Sequence, residues 1–236
     1  MTTAASEEQT IVKVPARVGA LAWLNAFSAA SQDPERGILY RNLSLEFFPK
    51  GIQMVATDGT VLFRTWVGVD VEAEWPAVDE APDRSVVAMD PDGFGVAHMK
   101  ALLRAAGQEG HQHEELIVAT AESDDENEPS LGGEFLTERL VLRACGQRLD
   151  LRLHEGDFPD WRRLKLGIEE YERVDGLTIA PRILGLVGKL REVAAVDLAF
   201  HGDKRAITFV ARGETEVRGL LMPMRRPEKE DKEGKE

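Results

Sequence analysis

The sequence has one cysteine, two tyrosines and no long apolar run. The single cysteine, Cys145, excludes an internal disulfide and is typical of a reducing compartment. No stretch reaches the roughly 18 consecutive apolar residues that a membrane-spanning helix needs. The amino-terminal residues "MTTAASEEQT" also lack the basic and apolar regions of a secretory signal. We therefore predict a cytoplasmic protein, with Cys145 as a buried structural thiol in a strand rather than a nucleophile.

Basic residues are fewer than acidic ones, 29 against 42, and the formal net charge is -13. Such a balance argues against a protein that coats nucleic acid with its whole surface, although it leaves room for a localised basic lining. Part of the acid is concentrated in "ESDDENEP" at residues 122–129, which predicts an exposed loop. The final ten residues, "PEKEDKEGKE", contain no apolar side chain. We predict that residues 1–9 and 227–236 are disordered.

Hydrophobic periodicity predicts the same order of elements three times along the chain. The first pass has a strand in "TIVKVPA", a helix in "RVGALAWLNAFSAAS" and strands in "NLSLEFF", "GIQMVAT" and "TVLFRTWVGV". The second has "SVVAMDP", the helix "GFGVAHMKALLRAAG" and the strands "EELIVATAES", "ERLVLRACG" and "QRLDLRLHE". The third has "GLTIAP", the helix "RILGLVGKLREVA" and the strands "AVDLAFHG", "AITFVARG" and "VRGLLMPM". The chain is therefore predicted to repeat a β-α-β-β-β unit.

A β-α-β-β-β unit places one helix against one face of an antiparallel sheet and leaves strand edges that another unit has to pair. We therefore predict an α+β fold of repeated half-units, with all helices on one face of antiparallel sheets. Residues 10–164 are predicted to form one domain of two half-units. Residues 165–226 are predicted to form a half domain.

The apolar octamer "GLLMPMRR" at residues 219–226 stands directly before the charged tail. Two unbranched thioethers around a rigid proline form an adaptable apolar surface, which suits a pocket that accepts varied partners. From the residues alone, a last strand that ends in the core is the favoured interpretation, since most apolar runs are core.

Three motifs carry a family resemblance. The segments "VATDGTVL" at residues 55–62, "GDFPDWRRL" at 156–164 and "LLMPMR" at 220–225 resemble signatures of the bacterial DNA polymerase III beta subunit, the sliding clamp. They occur in the family order, and the resemblance extends over about residues 12–226. It implies a DNA-clamp fold, in which helices line a hole for double-stranded DNA and sheets form the outer wall, with no catalytic residues and no cofactor.

The resemblance also implies a pocket in which polymerases and other replication proteins insert a short apolar peptide motif. Leucine and methionine would form its floor and receive a Leu or Phe anchor. Tyr40 is aligned only by counting back from the Thr-Asp-Gly turn. The implied pocket residues are Tyr40, Thr57, Gly59, Thr60, Leu62, Pro159, Arg163, Leu164, Leu220, Met222, Pro223, Met224 and Arg225.

The predicted helices carry few cations for a DNA-facing surface. Because the electrostatic part of DNA binding grows with the number of phosphates neutralised, six cations per chain are weak in a monomer and sufficient in an oligomer. A homo-oligomer is therefore a possible assembly. The candidate DNA-facing residues are Arg17, Lys100, Arg104, Arg182, Lys189 and Arg191.

The chain departs from the family in its number of half-units, because sliding clamps of this family contain six and this sequence shows three. The first two resemble the second domain of the family, and the last resembles the second half of its third domain. What is kept is the part that builds the pocket. We therefore predict a sliding-clamp-like processivity factor that binds DNA without sequence preference and binds short peptide motifs. The alternative is an adaptor or decoy that keeps the pocket without encircling DNA.

An enzyme is the least favoured class. The segment "HQHEE" at residues 111–115 lies in a polar connection, and Asp58 and Asp160 lie in turn motifs where Asp caps backbone amides. No Ser or His constellation accompanies them, and no glycine-rich loop continues into the Gly-Lys-Ser/Thr of a nucleotide site. The sequence predicts no catalytic residue, no metal site and no cofactor.

Overall fold

The strands form one antiparallel sheet. The computed structural model describes residues 8–70, 72–89, 94–111, 113–122, 135–154, 158–163, 179–201 and 206–223. In these residues eleven strands follow one another across the sheet in the order β1-β6-β7-β8-β5-β2-β3-β4-β11-β10-β9. Their bounds are β1 Gln9–Pro15, β2 Leu43–Phe48, β3 Gly51–Thr57, β4 Val61–Gly68, β5 Arg84–Met89, β6 Glu115–Glu122, β7 Phe135–Ala144, β8 Gln147–His154, β9 Val193–Ala199, β10 Ile207–Gly213 and β11 Val217–Leu221.

The helices are short and few. They are α1 Ala16–Phe27, α2 Ile38–Arg41, α3 Phe94–Ala106 and α4 Pro181–Val187, with a 3-10 turn at Trp161–Arg163. Helix α1 buries nine of its twelve residues because small and apolar side chains surround it on all sides. None of the described helices is long and apolar enough to span a membrane.

The first two half-units are joined by strand pairs, each formed by one strand from either half-unit. The first half-unit contains β1, α1 and β2–β4, and the second contains β5, α3 and β6–β8. Strand β1 pairs with β6 of the second, where Val14 lies opposite Leu116, and β5 pairs with β2 of the first, where Val86 lies opposite Leu45. Helices α1 and α3 pack against each other. Each half-unit thus covers the strand edge that the other leaves open.

The third half-unit contains α4 and β9–β11 and joins the first through β11 and β4. Phe63 of β4 and Phe209 of β10 meet edge to face with ring centroids 5.1 Å apart, so the core continues across the junction. Gly219 of β11 is required by this contact. A Cβ there would lie 2.3 Å from the Phe209 ring and 2.4 Å from the carbonyl oxygen of Leu62.

The described residues agree with the predicted α+β class, while several boundaries differ from the predictions. Helix α4 ends at Val187 rather than at residue 194, because the chain turns at Glu192, whose φ is 53°, and enters β9 at Val193. Helix α2 was not predicted, since four residues show no periodicity. The prediction of a half domain at 165–226 stays a prediction, because residues 164–178 and 224–236 lie outside the described residues.

Two expectations about single residues were wrong. Cys145 lies half-exposed in the turn between β7 and β8, with a φ of 50°, because the adjacent Gly146, with a φ of 69°, completes a tight hairpin. The predicted disordered segment 1–9 also extends one residue too far, because β1 begins at Gln9. The preceding Glu8 pairs with Arg143 at 2.7 Å and with Arg148 at 2.5 Å.

Candidate functional site

The turn between β3 and β4 is fixed by its own side chains. Asp58 Oδ1 accepts hydrogen bonds from the backbone N–H groups of Thr60 at 2.7 Å and Val61 at 2.9 Å, and from the Thr60 hydroxyl at 2.7 Å. The Thr57 hydroxyl donates to the Val61 carbonyl and accepts from the Gly59 N–H at 3.0 Å. Gly59 has a φ of 86°, which favours glycine. The sequence Thr-Asp-Gly-Thr thus forms a rigid turn with bound polar groups.

Tyr40, a pocket candidate from the resemblance, lies beside this turn. It belongs to the short helix α2, and its Cε1 atom would lie 3.7 Å from a Cβ built on Gly59. The backbone of Tyr40 is held by the Ser31 N–H, which donates to its carbonyl oxygen at 2.7 Å. The half-exposed phenol ring therefore flanks the turn on one side.

Strand β11 brings the carboxyl-terminal motif to the same turn. Leu220 pairs directly with Leu62 of β4, and both side chains are 4% exposed. The Met222 N–H donates to the Thr60 carbonyl at 2.9 Å, which holds the residue after β11 against the turn. The side chain of Met222 is 45% exposed. A buried leucine pair therefore lies beside an exposed thioether.

The leucine pair belongs to a small hydrophobic cluster separate from the main core. We call it the outer cluster, and its members are Val55, Leu62, Trp161 and Leu220. Phe158 and Ala206 pack at its margin. The cluster combines β3, β4 and β11 with the segment 158–163, which is the linker motif "FPDWRR". The three sequence motifs thus meet on the side of the sheet away from the helices.

The linker is fastened to the sheet by one buried carboxylate. Glu46 of β2 is 2% exposed, and its Oε1 accepts the indole N–H of Trp161 at 3.0 Å. Arg162 binds both oxygens of Glu46, at 2.9 Å and 2.7 Å, and Gln53 donates a further hydrogen bond. Charge-assisted pairs with two parallel contacts are the stronger kind, so Glu46 fixes the position of the linker.

A buried arginine lies beneath the linker. The guanidinium of Arg64 lies 4.4 Å from the ring centroid of Trp161 and 5.1 Å from that of Trp75. Its Nε and Nη1 atoms are buried, and they have no hydrogen-bond partner among the described residues. Burial, followed by the nearby charge of Arg218, lowers the pKa of Arg64 to about 10. The two indole rings and the nearby carboxylate of Glu46 offset part of this burial.

The predicted pocket residues fall into three groups. The turn and the two paired strands bring together Tyr40, Thr57, Gly59, Thr60, Leu62, Leu220 and Met222, with Pro223 half-buried after them. Pro159 and Arg163 lie on the linker, where Arg163 is largely exposed and pairs with Asp160 at 2.7 Å. Leu164, Met224 and Arg225 lie outside the described residues.

Sequence reasoning missed the residues that hold the linker in place. Trp161 and Arg162 stand inside the quoted motif but were not assigned a role, although a buried tryptophan needs a partner for its N–H. Glu46 was also missed. Its signal was a single acidic residue within the strand "LSLEFF", where burial predicts a paired carboxylate.

The candidate DNA-facing residues are not equivalent. Arg17 of α1 binds Glu214 through two contacts, at 2.7 Å and 2.8 Å, so this cation ties α1 to the turn before β11. Arg182 lies 3.7 Å from Asp58, beside the β3–β4 turn. The remaining four are Lys100, which is half-buried, and the exposed Arg104, Lys189 and Arg191.

A polar cluster that sequence reasoning treated as a solvated loop is more ordered than expected. His111 Nδ1 lies 2.6 Å from Glu114 Oε1, and the Cys145 N–H donates to Glu114 Oε2 at 2.6 Å. The atoms of His111, Glu114 and Cys145 that could bind a metal ion lie within 4.8 Å of one another. Because both oxygens of Glu114 are already bonded, the cluster fastens the β7–β8 turn to the segment before β6.

No protein-family model matches the sequence, and no curated protein is similar to it by sequence. Solved structures are similar in fold. The DNA polymerase sliding clamp of Bacillus subtilis matches with a TM-score of 0.62 at 14% identity, over 96% of this chain and 67% of that chain. A putative DNA polymerase III beta subunit of Eubacterium rectale matches with 0.58 at 10% identity, over 96% and 68%. The beta chain of DNA polymerase III from Streptococcus pneumoniae matches with 0.58 at 14%, over 96% and 67%. The chain has the DNA-clamp fold of these beta subunits, as its three motifs predicted.

Proposed function

We propose that the protein is a sliding-clamp-like processivity factor that binds short apolar peptide motifs of polymerases and other replication proteins. The observation that carries this proposal is the meeting of the β3–β4 turn, the linker and the end of β11 around the outer cluster. These segments are far apart in sequence, and their described residues come together at this site. The proposed activity is binding rather than catalysis.

The chemistry of the site suits an apolar peptide. Leu62 and Leu220 form a buried floor, and the exposed Met222 provides an adaptable edge that can close over a Leu or Phe anchor. Because the polar groups of the neighbouring turn already bond to one another, an incoming anchor need not satisfy them. Burial of apolar area at about 25 cal/mol per Å² would then favour binding.

Fluorescence polarisation with a short fluorescein-labelled peptide that carries a Leu-Phe anchor tests the peptide site. Met222→Glu is expected to weaken binding by roughly tenfold or more, because the anchor would then meet a desolvated charge. The matched control is Val69→Glu. Val69 is 43% exposed, similar to Met222, and follows the opposite end of β4. Wild-type protein that binds no such peptide saturably would overturn the peptide proposal.

The DNA part of the proposal needs a separate test. A ring that encircles DNA is held by topology, so it should stay bound to nicked circular duplex and slide off after linearisation. Retention on circular DNA should persist as salt rises, because topology holds the ring, whereas binding that depends only on Lys and Arg contacts with phosphate weakens. Retention on circular DNA together with longer products in a primer-extension assay would support a processivity factor.

An adaptor or decoy that does not encircle DNA is the second candidate, and α1 favours it. No residue of α1 is exposed, and its one cation, Arg17, is engaged by Glu214. A DNA-facing surface therefore has to be built from α3, α4 and the turn after α4. Peptide binding without retention on circular DNA would select this function over the first.

A further inference from the structure

Three side chains of metal-binding types meet where the α3–β6 connection contacts the β7–β8 turn. His111 and Glu114 stand in the connection, and Cys145 lies in the turn. A ring nitrogen of His111, a carboxylate oxygen of Glu114 and the Cys145 Sγ atom all lie within 4.8 Å of one another. It is the one such group in the part of the chain that the structure describes. The sequence predicted no metal site because Cys145 lies 31 residues beyond Glu114.

Cysteine is an unusual residue for its place in this turn. Ala144 pairs with Gln147, so Cys145 and Gly146 form a two-residue turn in which both residues have a positive φ, of 50° and 69°. Hairpin turns of this kind favour Asn, Asp or Gly at the first position, because these residues adopt a positive φ most readily. The turn by itself therefore gives no reason for a cysteine at position 145.

The spacing of the three side chains fits a single ion. Three atoms within 4.8 Å of one another share a point that lies within about 2.8 Å of each. Zinc binds cysteine sulfur at about 2.3 Å and histidine nitrogen or carboxylate oxygen at about 2.0–2.2 Å, so side-chain shifts of less than about 1 Å would complete the bonds. His111 Nδ1 and Glu114 Oε1, now 2.6 Å apart, would separate as the ion replaces the proton between them.

The backbone already orients the carboxylate. Glu114 Oε2 accepts the Cys145 N–H at 2.6 Å, a contact that can stay while Oε1 binds an ion. The Glu114 carbonyl oxygen in turn accepts the Ala16 N–H at 2.8 Å, at the start of α1. An ion at this point would therefore tie the β7–β8 turn to the connection before β6 and, through it, to α1.

We propose that His111, Glu114 and Cys145 bind one zinc ion that fastens these segments together. A thiolate, an imidazole and a carboxylate favour zinc over magnesium and calcium, which prefer oxygen ligands alone. The side chains of His111 and Glu114 are each 38% exposed, so the ion has access from solvent and water can take the fourth position. Binding releases the proton of the Cys145 thiol, because the thiolate is the ligand. None of the three residues belongs to the outer cluster, so the proposal is independent of peptide and DNA binding.

Competition between the metal-free full-length protein and a chromophoric chelator for Zn²⁺ tests the site. Wild-type protein, kept reduced, is expected to bind one Zn²⁺ per chain, and Mg²⁺ in excess should not displace it. His111→Ala and Cys145→Asn should each weaken binding roughly tenfold or more, since each removes a ligand. Asparagine suits the turn, so Cys145→Asn should fold. The matched control is His113→Ala, because His113 is exposed and lies two residues from His111.

Two further readouts identify the ligands and the effect on the fold. Co²⁺ in place of Zn²⁺ should give a thiolate-to-metal absorption band in the wild type and in His113→Ala, and no such band in Cys145→Asn. Zn²⁺ should raise the melting temperature of the wild type but not of Cys145→Asn, because an ion that binds only the folded chain stabilises it. Wild-type protein that binds no Zn²⁺ would overturn the proposal, as would binding that His111→Ala and Cys145→Asn leave unchanged. A cobalt complex without the thiolate band would contradict the role of Cys145.

Discussion

The two faces of the β4–β11 pair differ in size and in chemistry. On the helix side, Phe63 and Leu221 extend the main core, and Phe209 of the neighbouring strand packs against them. On the other side, Leu62 and Leu220 belong to the outer cluster of four buried residues, next to a buried arginine. Alternate residues of the same strands thus belong to two different environments.

The difference separates stability from recognition. On the helix side of β4 and β11 the side chains belong to the large main core, so a change there removes buried contacts that hold two half-units together. The outer cluster is small and ends at an exposed thioether, so a change there alters a local surface that a partner can contact. Substitutions at neighbouring positions of one strand should therefore have different consequences.

The largest effect is expected from Phe209→Ala on the helix face. Loss of a fully buried aromatic ring should lower the free energy of unfolding by about 3–5 kcal/mol. The third half-unit loses its ring contact to Phe63, so peptide binding should be lost as well. Urea denaturation followed by circular dichroism measures the change. A loss below about 1 kcal/mol would show that the two half-units are not held together by this core.

Glu46→Ala should have the next largest effect, although it lies on the outer face. The substitution removes the acceptor of the Trp161 indole N–H and both contacts of Arg162. Breaking a buried pair costs about 3–5 kcal/mol, and the half-exposed Arg162 places the expected loss of stability near the lower end. Faster proteolysis within residues 158–163 is expected too, because the linker is released.

The control for Glu46→Ala is the neighbouring pair on the same linker. Arg163→Ala removes an exposed contact to Asp160 and should change the free energy of unfolding by less than about 1 kcal/mol. Equal effects of the two substitutions would contradict the assignment of Glu46 as the residue that holds the linker.

Arg64→Met is expected to leave the stability of the fold almost unchanged. It therefore tests whether a buried residue of the outer face matters less to stability than one of the helix face. Replacing a buried charge by an apolar side chain of similar length removes a desolvation cost and loses two stacking contacts, so stability should change by about 1 kcal/mol or less in either direction. Thermal melting measures it. A severe loss would show that the indole contacts of Arg64 are essential to the fold.

The smallest effect is expected from deletion of residues 227–236. This segment has no apolar side chain, and so it has nothing to contribute to either face. Melting temperature and peptide affinity should both stay within error of the wild type. A measurable drop in affinity would indicate that the charged tail takes part in recognition.

The sequence predicted the parts of the fold that depend on local pattern. Alternation and turn residues predicted β2, β3 and β4, whereas only the family resemblance implied that Leu62 and Leu220 share a pocket. The pairing of the first half-unit with the third was implied by resemblance alone, because register between distant strands leaves no local signal. Glu46 was missed although a lone acidic residue within a buried strand is a signal, because its linker partners Trp161 and Arg162 lie more than a hundred residues away along the chain.

Leu62 and Leu220 also have a consequence for the order of events during synthesis. They are separated by most of the chain, and contacts between such distant residues form late because the intervening loop has to close first. Until β11 has left the ribosome, one edge of β4 is unpaired and Leu62 lacks its neighbour Leu220. The proposed peptide site cannot form before β11 is present, so peptide binding would report that the last strand has been completed and docked.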